Sequence, residues 1–275
     1  MLFGCGDMRA HDEILPSYIK EHIQLVDESA MCVIDADIPN ETMIYLTNFC
    51  QSKNIPVWYN PTDLRKSTKV VEAGVFSKLT FMSPNTKELF AIFSAVFDED
   101  QTLTDAERNN FRAIVSRYKD ILTNLEINDL KTILKYLIKY VPVILLSRGP
   151  KPLMLACAYD LNIDESWQLP VRENLSKIRA RVGEKSVIYN FPVLSLEEYE
   201  IYMNESGAGD SMSAGVIYGI LKGYSLGCTI YNGILSAKLA LLTSNNINPE
   251  IADIDLERLE KLLSLNKSAI TKEYI

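Results

Sequence analysis

The stretch NESGAGDSMSAG, residues 204–215, crowds small residues around a single carboxylate, Asp210. Gly207 and Gly209 remove two Cβ atoms just where the pattern predicts a helix to begin, over 208–222. At a helix start the first N–H groups have no partner inside the helix, and the helix dipole adds partial positive charge. A strand, a glycine turn and a helix start therefore make an anion site, with the N–H groups of Ala208, Gly209 and Asp210 as donors. A carboxylate repels an anion, so Asp210 in that place needs a reason. One reason is proton removal: Asp210 takes the proton of a hydroxyl attacking phosphorus, while the N–H groups hold the phosphoryl oxygens. The alternative is an ordinary helix cap, which needs no ligand. The stretch is neither a P-loop, since no Lys-Ser/Thr pair follows, nor a full GxGxxG dinucleotide fingerprint.

The elements that must hold this turn follow from periodicity. AMCVID (30–35), IPVWYN (55–60) and KLTFM (78–82) are short apolar runs with the length and content of strands. The first and last are followed by helical patterns, DIPNETMIYLTNFCQSKN and SPNTKELFAIFSAV, each opened by Pro and Asn. This alternation predicts parallel βαβ units. Residues 98–140 predict two charged surface helices, and VPVILLS (141–147) with PLMLACAY (152–159) a hairpin across Arg148-Gly149-Pro150. Residues 160–190 show weak periodicity, and YEIYM (199–203) predicts a short strand entering the glycine motif. Helices are expected at 208–222, 225–243 and 255–264. Asp35 and Asp63 follow strand runs, Asp63 as a phosphate or metal neighbour or as the turn residue of Pro-Thr-Asp. Gly215, Gly219 and Gly223 recur every fourth residue, which suits close helix packing or ligand approach.

With 275 residues and 47% hydrophobic content the chain can bury a sizeable core, and one domain over 1–275 is expected. A net charge of −8 argues against nucleic acid or an anionic membrane as partner. Five scattered cysteines without CxxC spacing, and only two histidines, argue against a zinc cage and for reduced thiols. No signal peptide or apolar span is indicated, so a cytoplasmic protein is expected.

SGAGDSMSAG resembles the C-terminal signature of the ribokinase-like (pfkB) carbohydrate and nucleoside kinases, and SPNTKEL (83–89) resembles their N-x-x-E motif. VILLSRG (143–149) resembles the strand that ends beside the nucleotide, although Pro150-Lys151-Pro152 follows Gly149 where the family continues G-x-x-G. CGDMRAHDEILPSYI, VIDADIPNETM and VWYNPTDLRKS are similar to segments of the pseudouridine kinases within that family. The resemblance implies a three-layer α/β sandwich, a mostly parallel sheet with helices on both faces, N-terminally truncated. It implies ATP and Mg²⁺ as cofactors, and a nucleoside or sugar as substrate, most specifically the 5′-hydroxyl of pseudouridine. It also allows a homodimer. Asp210 would be the base within the cradle Gly207, Ala208 and Gly209; Ser147, Gly149, Ser206 and Asn232 would lie near the nucleotide; Asn85 and Glu88 would organise Mg²⁺ and phosphate. Unaided by the resemblance, Asn85 and Glu88 make an equally good helix cap with an acidic first turn, and Asn232 a solvent-facing helical residue.

The chain also departs from the family. Relatives carry an earlier segment with a lid sheet and a Gly-Gly motif that grips the sugar, and this chain has no Gly-Gly pair. Asn204-Glu205-Ser206 stands where the family often has Asp-Thr-Thr, which puts a monovalent-cation site in doubt. A non-catalytic remnant that binds nucleotide at most, or a kinase for another sugar or nucleoside, is the alternative reading. A core without its first strands would expose a sheet edge.

Overall fold

The computed structural model describes residues 9–118, 125–167, 185–195, 203, 206–245 and 247–275. Seven strands form one sheet in sequential order: β1 (Cys32–Asp35), β2 (Val57–Asn60), β3 (Phe81–Met82), β4 (Val143–Leu146), β5 (Leu153–Cys157), β6 (Val187–Phe191) and β7 (Thr271–Tyr274). β1 to β4 pair in parallel. From β4 onward each pairing is antiparallel. Parallel pairing is therefore confined to one half of the sheet. The expected hairpin supplies the first reversal, and Gly149 turns it in a left-handed conformation, φ 60°. Two strands escaped the periodicity reading. β6 ends the weakly patterned segment, and β7 has all four residues exposed, so it carries no alternation to detect. Residues 199–202 of the expected strand at 199–203 lie outside the described residues.

Helices α1 (Arg9–Asp12), α2 (Pro16–Glu21) and α3 (Ile23–Asp27) precede β1. α4 (Asn40–Lys53), α5 (Lys69–Glu72) and α6 (Thr86–Glu99) follow the first three strands. The two charged helices expected in 98–140 are α7 (Asp105–Tyr118) and α8 (Ile127–Leu137). α9 (Ala208–Leu221), α10 (Leu226–Leu241) and α11 (Leu256–Asn266) lie between β6 and β7 in sequence. Helices cover both faces of the sheet, and β4 and β5 are accordingly buried at every position. Between α6, α7 and α8, Phe93, Phe97, Phe111 and Tyr136 pack as an aromatic cluster. β1 differs from the central strands: it stands at the end of the sheet, and Val33 is 54% exposed.

Close packing of α9 on α10 answers the question of the spaced glycines. A Cβ on Gly215 would come within 2.8 Å of the Asn232 carbonyl oxygen, and one on Gly219 within 2.9 Å of the Thr229 Cα. Gly223 instead takes φ 69° in the turn between the two helices.

Candidate active site

Because β1 to β4 run in parallel, their C-terminal ends share one edge of the sheet, the edge where open α/β folds place their crevice. The first turn of α9 is fixed above that edge by two buried serines. Trp58 Nε1 in β2 donates to Ser83 Oγ at 3.0 Å, and Ser213 Oγ in α9 donates to the same oxygen at 3.1 Å. One turn earlier, Asn60 Nδ2 at the end of β2 donates to Asp210 Oδ1 at 2.7 Å. Asp210 is thereby held over the ends of β2 and β3 although its helix is remote from them in sequence.

The glycine cradle has the form that anion binding requires. Gly207 is the N-cap of α9 at φ 80°, a conformation that disfavours any residue with a Cβ, and it offers no side-chain cap. The first helical bond runs from Ser211 N–H to the Gly207 carbonyl at 2.8 Å, so the N–H groups of Ala208, Gly209 and Asp210 precede it. A Cβ built on Gly209 would meet no atom within 4 Å. Gly209 and Asp210 are both exposed. Ser206 lies exposed in the turn just before it.

Asn85 and Glu88 lie at the same edge, where α6 begins. Asn85 Oδ1 accepts from the N–H groups of Lys87 at 2.9 Å and Glu88 at 3.0 Å, while Glu88 Oε2 accepts from the Asn85 N–H at 2.8 Å. This is a complete capping box, so the cap reading of the two residues is realised in the structure. Glu88 is 7% exposed. Burial pushes its carboxyl above the usual range, against the pull of the bonds from Asn85. Ser147 pairs with Asn85 through an isolated parallel bridge, and its N–H donates to the Pro84 carbonyl at 3.0 Å. β4 therefore delivers Ser147 next to the α6 cap, with Gly149 in the turn beyond.

Asn232 falls elsewhere. It is 4% exposed, and its amide donates to the Gly215 carbonyl at 2.8 Å between α9 and α10. The solvent-facing alternative for Asn232 does not hold, and its side chain serves the helix contact that the glycines make tight. Asp63 is a turn residue: its Oδ1 accepts from the N–H groups of Arg65 at 2.7 Å and Lys66 at 3.2 Å. Asn204 and Glu205, where the family's cation motif would stand, lie outside the described residues.

ATP and Mg²⁺ can be tested against these residues. The first turn of α9, which has no side-chain cap at Gly207, is of the kind that fits a phosphate group. No group of three or more His, Cys, Asp or Glu side chains able to hold a metal occurs among the described residues. Mg²⁺ is commonly held by one or two carboxylates together with substrate phosphates and water. Glu88, the carboxylate expected to organise Mg²⁺, is engaged here in the α6 capping box. Asn60, Ser83 and Ser213 were not singled out from sequence. The one hint was an Asn at a strand end before Pro61, on the edge that faces ligand.

No protein-family model matches the sequence. A pseudouridine kinase of Arabidopsis thaliana is 21% identical over 253 residues, which cover 86% of this chain and 63% of that protein. Among solved structures, a carbohydrate kinase from Agrobacterium tumefaciens superposes with a TM-score of 0.58 at 15% identity, over all (100%) of this chain and 66% of the other. A ribokinase from Thermotoga maritima gives 0.56 at 15% identity, over 93% and 63%. The chain thus spans about two thirds or less of the length of these relatives. The chain therefore shares its fold with ribokinase-like carbohydrate kinases and is similar in sequence, along most of its length, to a pseudouridine kinase.

Proposed function

We propose that the chain transfers a phosphoryl group from ATP to a primary hydroxyl of a nucleoside or sugar, with the 5′-hydroxyl of pseudouridine as first candidate. The observation that carries this reading is Asp210 in the glycine-led first turn of α9, its carboxylate held from the neighbouring strand end. ATP with Mg²⁺, when bound, supplies the phosphoryl group and neutralises its charge. The Asp210 carboxylate accepts the proton of the acceptor hydroxyl and so makes its oxygen nucleophilic. The N–H groups of Ala208, Gly209 and Asp210 hold the phosphoryl oxygens, which need no rearrangement because the helix has already set them. Glu88 sits within the edge at which a phosphate-bound cation would lie, and Ser147 and Gly149 border the same space. Pseudouridine is favoured by the similarity to the Arabidopsis protein and by the VWYNPTDLRKS segment.

The test is coupled detection of ADP and phosphorylated product with pseudouridine, ribose, adenosine and fructose as acceptors. Asp210→Asn is expected to lower kcat by about 10²-fold or more while ATP affinity stays within twofold. Near-normal turnover of that variant would remove the base from the scheme. A second reading, nucleotide binding without transfer, is favoured by the position of β1 at the end of the sheet with Val33 exposed. It predicts Mg-ATP binding with no ADP formed under any of these acceptors.

A further inference from the structure

We infer that Asn60 is the positioning residue of the site: it fixes one oxygen of the Asp210 carboxylate and leaves the other to receive the acceptor's proton. This rests on the phosphoryl-transfer reading above. The bond from Asn60 Nδ2 to Asp210 Oδ1, at 2.7 Å, joins residues 150 apart in sequence. It connects β2 to the first turn of α9 at the point where the base must be exact in direction.

The donor is itself held firmly. Asn60 is the last residue of β2 and stands in register with Asp35 of β1. Pro61 follows, and then Thr62 takes φ 62°, a left-handed conformation that is rare for a β-branched residue. Thr62 Oγ1 accepts from the Ala36 N–H at 3.2 Å, which ties this bend to the end of β1. Tyr59 next to it is fully buried, and its hydroxyl donates to the Ser67 carbonyl at 3.1 Å. The backbone on either side of Asn60 therefore has little freedom, and the strain at Thr62 lies where it sets the amide's direction.

An amide suits this task better than any ionisable group. It donates to a carboxylate without carrying a charge that would pair with the phosphate, and it cannot take the proton itself. A carboxylate at position 60 would oppose Asp210 with like charge. Other charges already crowd the edge. Asp35, Asp63 and Glu88 lie close enough to Tyr59 to act on it electrostatically. Asp37 is paired with Lys66 and faces His11, while Lys69 donates to the carbonyls of Ala36 and Ile38. A neutral donor on Asp210 adds no further charge to this acidic edge.

The experiment compares wild type with Asn60→Ala and Asn60→Asp, reading ¹³C-detected titration of the Asp210 carboxyl, steady-state kinetics and thermal melting. In Asn60→Ala the titration midpoint of Asp210 should rise, because a donor to the charged form is lost. kcat should fall roughly ten- to hundredfold, the range that follows from losing one hydrogen bond to a charged group, with KM for ATP within twofold. In Asn60→Asp two carboxylates would share a proton, so the midpoint should rise further and the acid limb of kcat against pH should move with it. An unchanged Asp210 titration in both variants overturns the proposal. So does a loss of melting temperature and ATP affinity together with an unmoved titration, which marks a purely structural tie. If wild type turns over no acceptor, the phosphoryl-transfer reading falls, and the titration still decides whether Asn60 governs the carboxylate.

Discussion

Gly209 and Gly233 lack the same Cβ under opposite constraints. At Gly209 the missing atom would project into space with nothing within 4 Å, whereas at Gly233 it would lie 2.5 Å from Val216 Cγ2 and 2.9 Å from the Met212 carbonyl oxygen. Gly209→Val is therefore expected to leave the melting temperature nearly unchanged while weakening Mg-ATP binding in calorimetry by about tenfold or more, because two methyl groups enter the phosphate's place. Gly233→Ala should do the reverse, lowering stability by about 1–3 kcal/mol through overpacking, with ATP affinity retained in the folded fraction. Unaltered ATP binding by Gly209→Val would remove the cradle. The same contrast shows what was legible in sequence at this scale. The concentration of glycine around Asp210 marked the start of α9, where Gly207 takes φ 80°. The four-residue spacing of Gly215 and Gly219 had pointed to close helix packing, and the fold supplies α10 as the partner. Asn60 stayed hidden because its meaning depends on a partner no local window contains.

Among the elements, the end of α6 is joined to α8 by one carboxylate. Asp100 Oδ1 accepts from the Thr102 N–H at 2.8 Å and its hydroxyl at 2.6 Å, and Oδ2 accepts from Tyr136 at 2.8 Å and Tyr140 at 2.6 Å. Burial opposes the charge, but the bonds from Thr102, Tyr140 and Tyr136 outweigh it and hold the carboxyl far below the usual range. Its folded value thus lies under the ordinary 3.8, so the stabilisation is full above that pH, begins to fall away below it and is gone only below the folded value. Urea unfolding from pH 7 to pH 3 should show stability dropping below about pH 4, and Asp100→Asn should flatten that drop while costing about 1–3 kcal/mol at neutral pH. A variant with the wild-type pH profile would discount Asp100 as its source. Helices such as α6 and α8 were readable from their periodic apolar faces. β7 was not, because a four-residue strand exposed at every position has no pattern to show.

At the scale of the molecule, the sheet order β1 to β7 leaves two end strands. β7 is short and carries Lys272 and Glu273, side chains that discourage further pairing. β1 presents Val33 at 54% exposure. Pairing through this strand is expected to make the chain self-associate as its concentration rises, and Val33→Lys should shift the mass distribution in light scattering toward monomer. No shift would show that β1 is not the contact. The parallel half of the sheet was legible from alternating strands and helices. Its antiparallel continuation was legible only as far as the hairpin, since residues 160–190 carry little periodicity ahead of β6.

The bond between Asn60 and Asp210 also has a meaning in time. A ribosome delivers β1 to β5, the α6 cap and Ser147 well before it delivers residue 208, and β7, which pairs with β6, comes later still. Synthesis can thus complete the floor of the crevice while the carboxylate is still absent. A nascent chain that has not reached residue 208 lacks Asp210 and Ser213, and their bonds to Asn60 and Ser83 can form only when α9 docks.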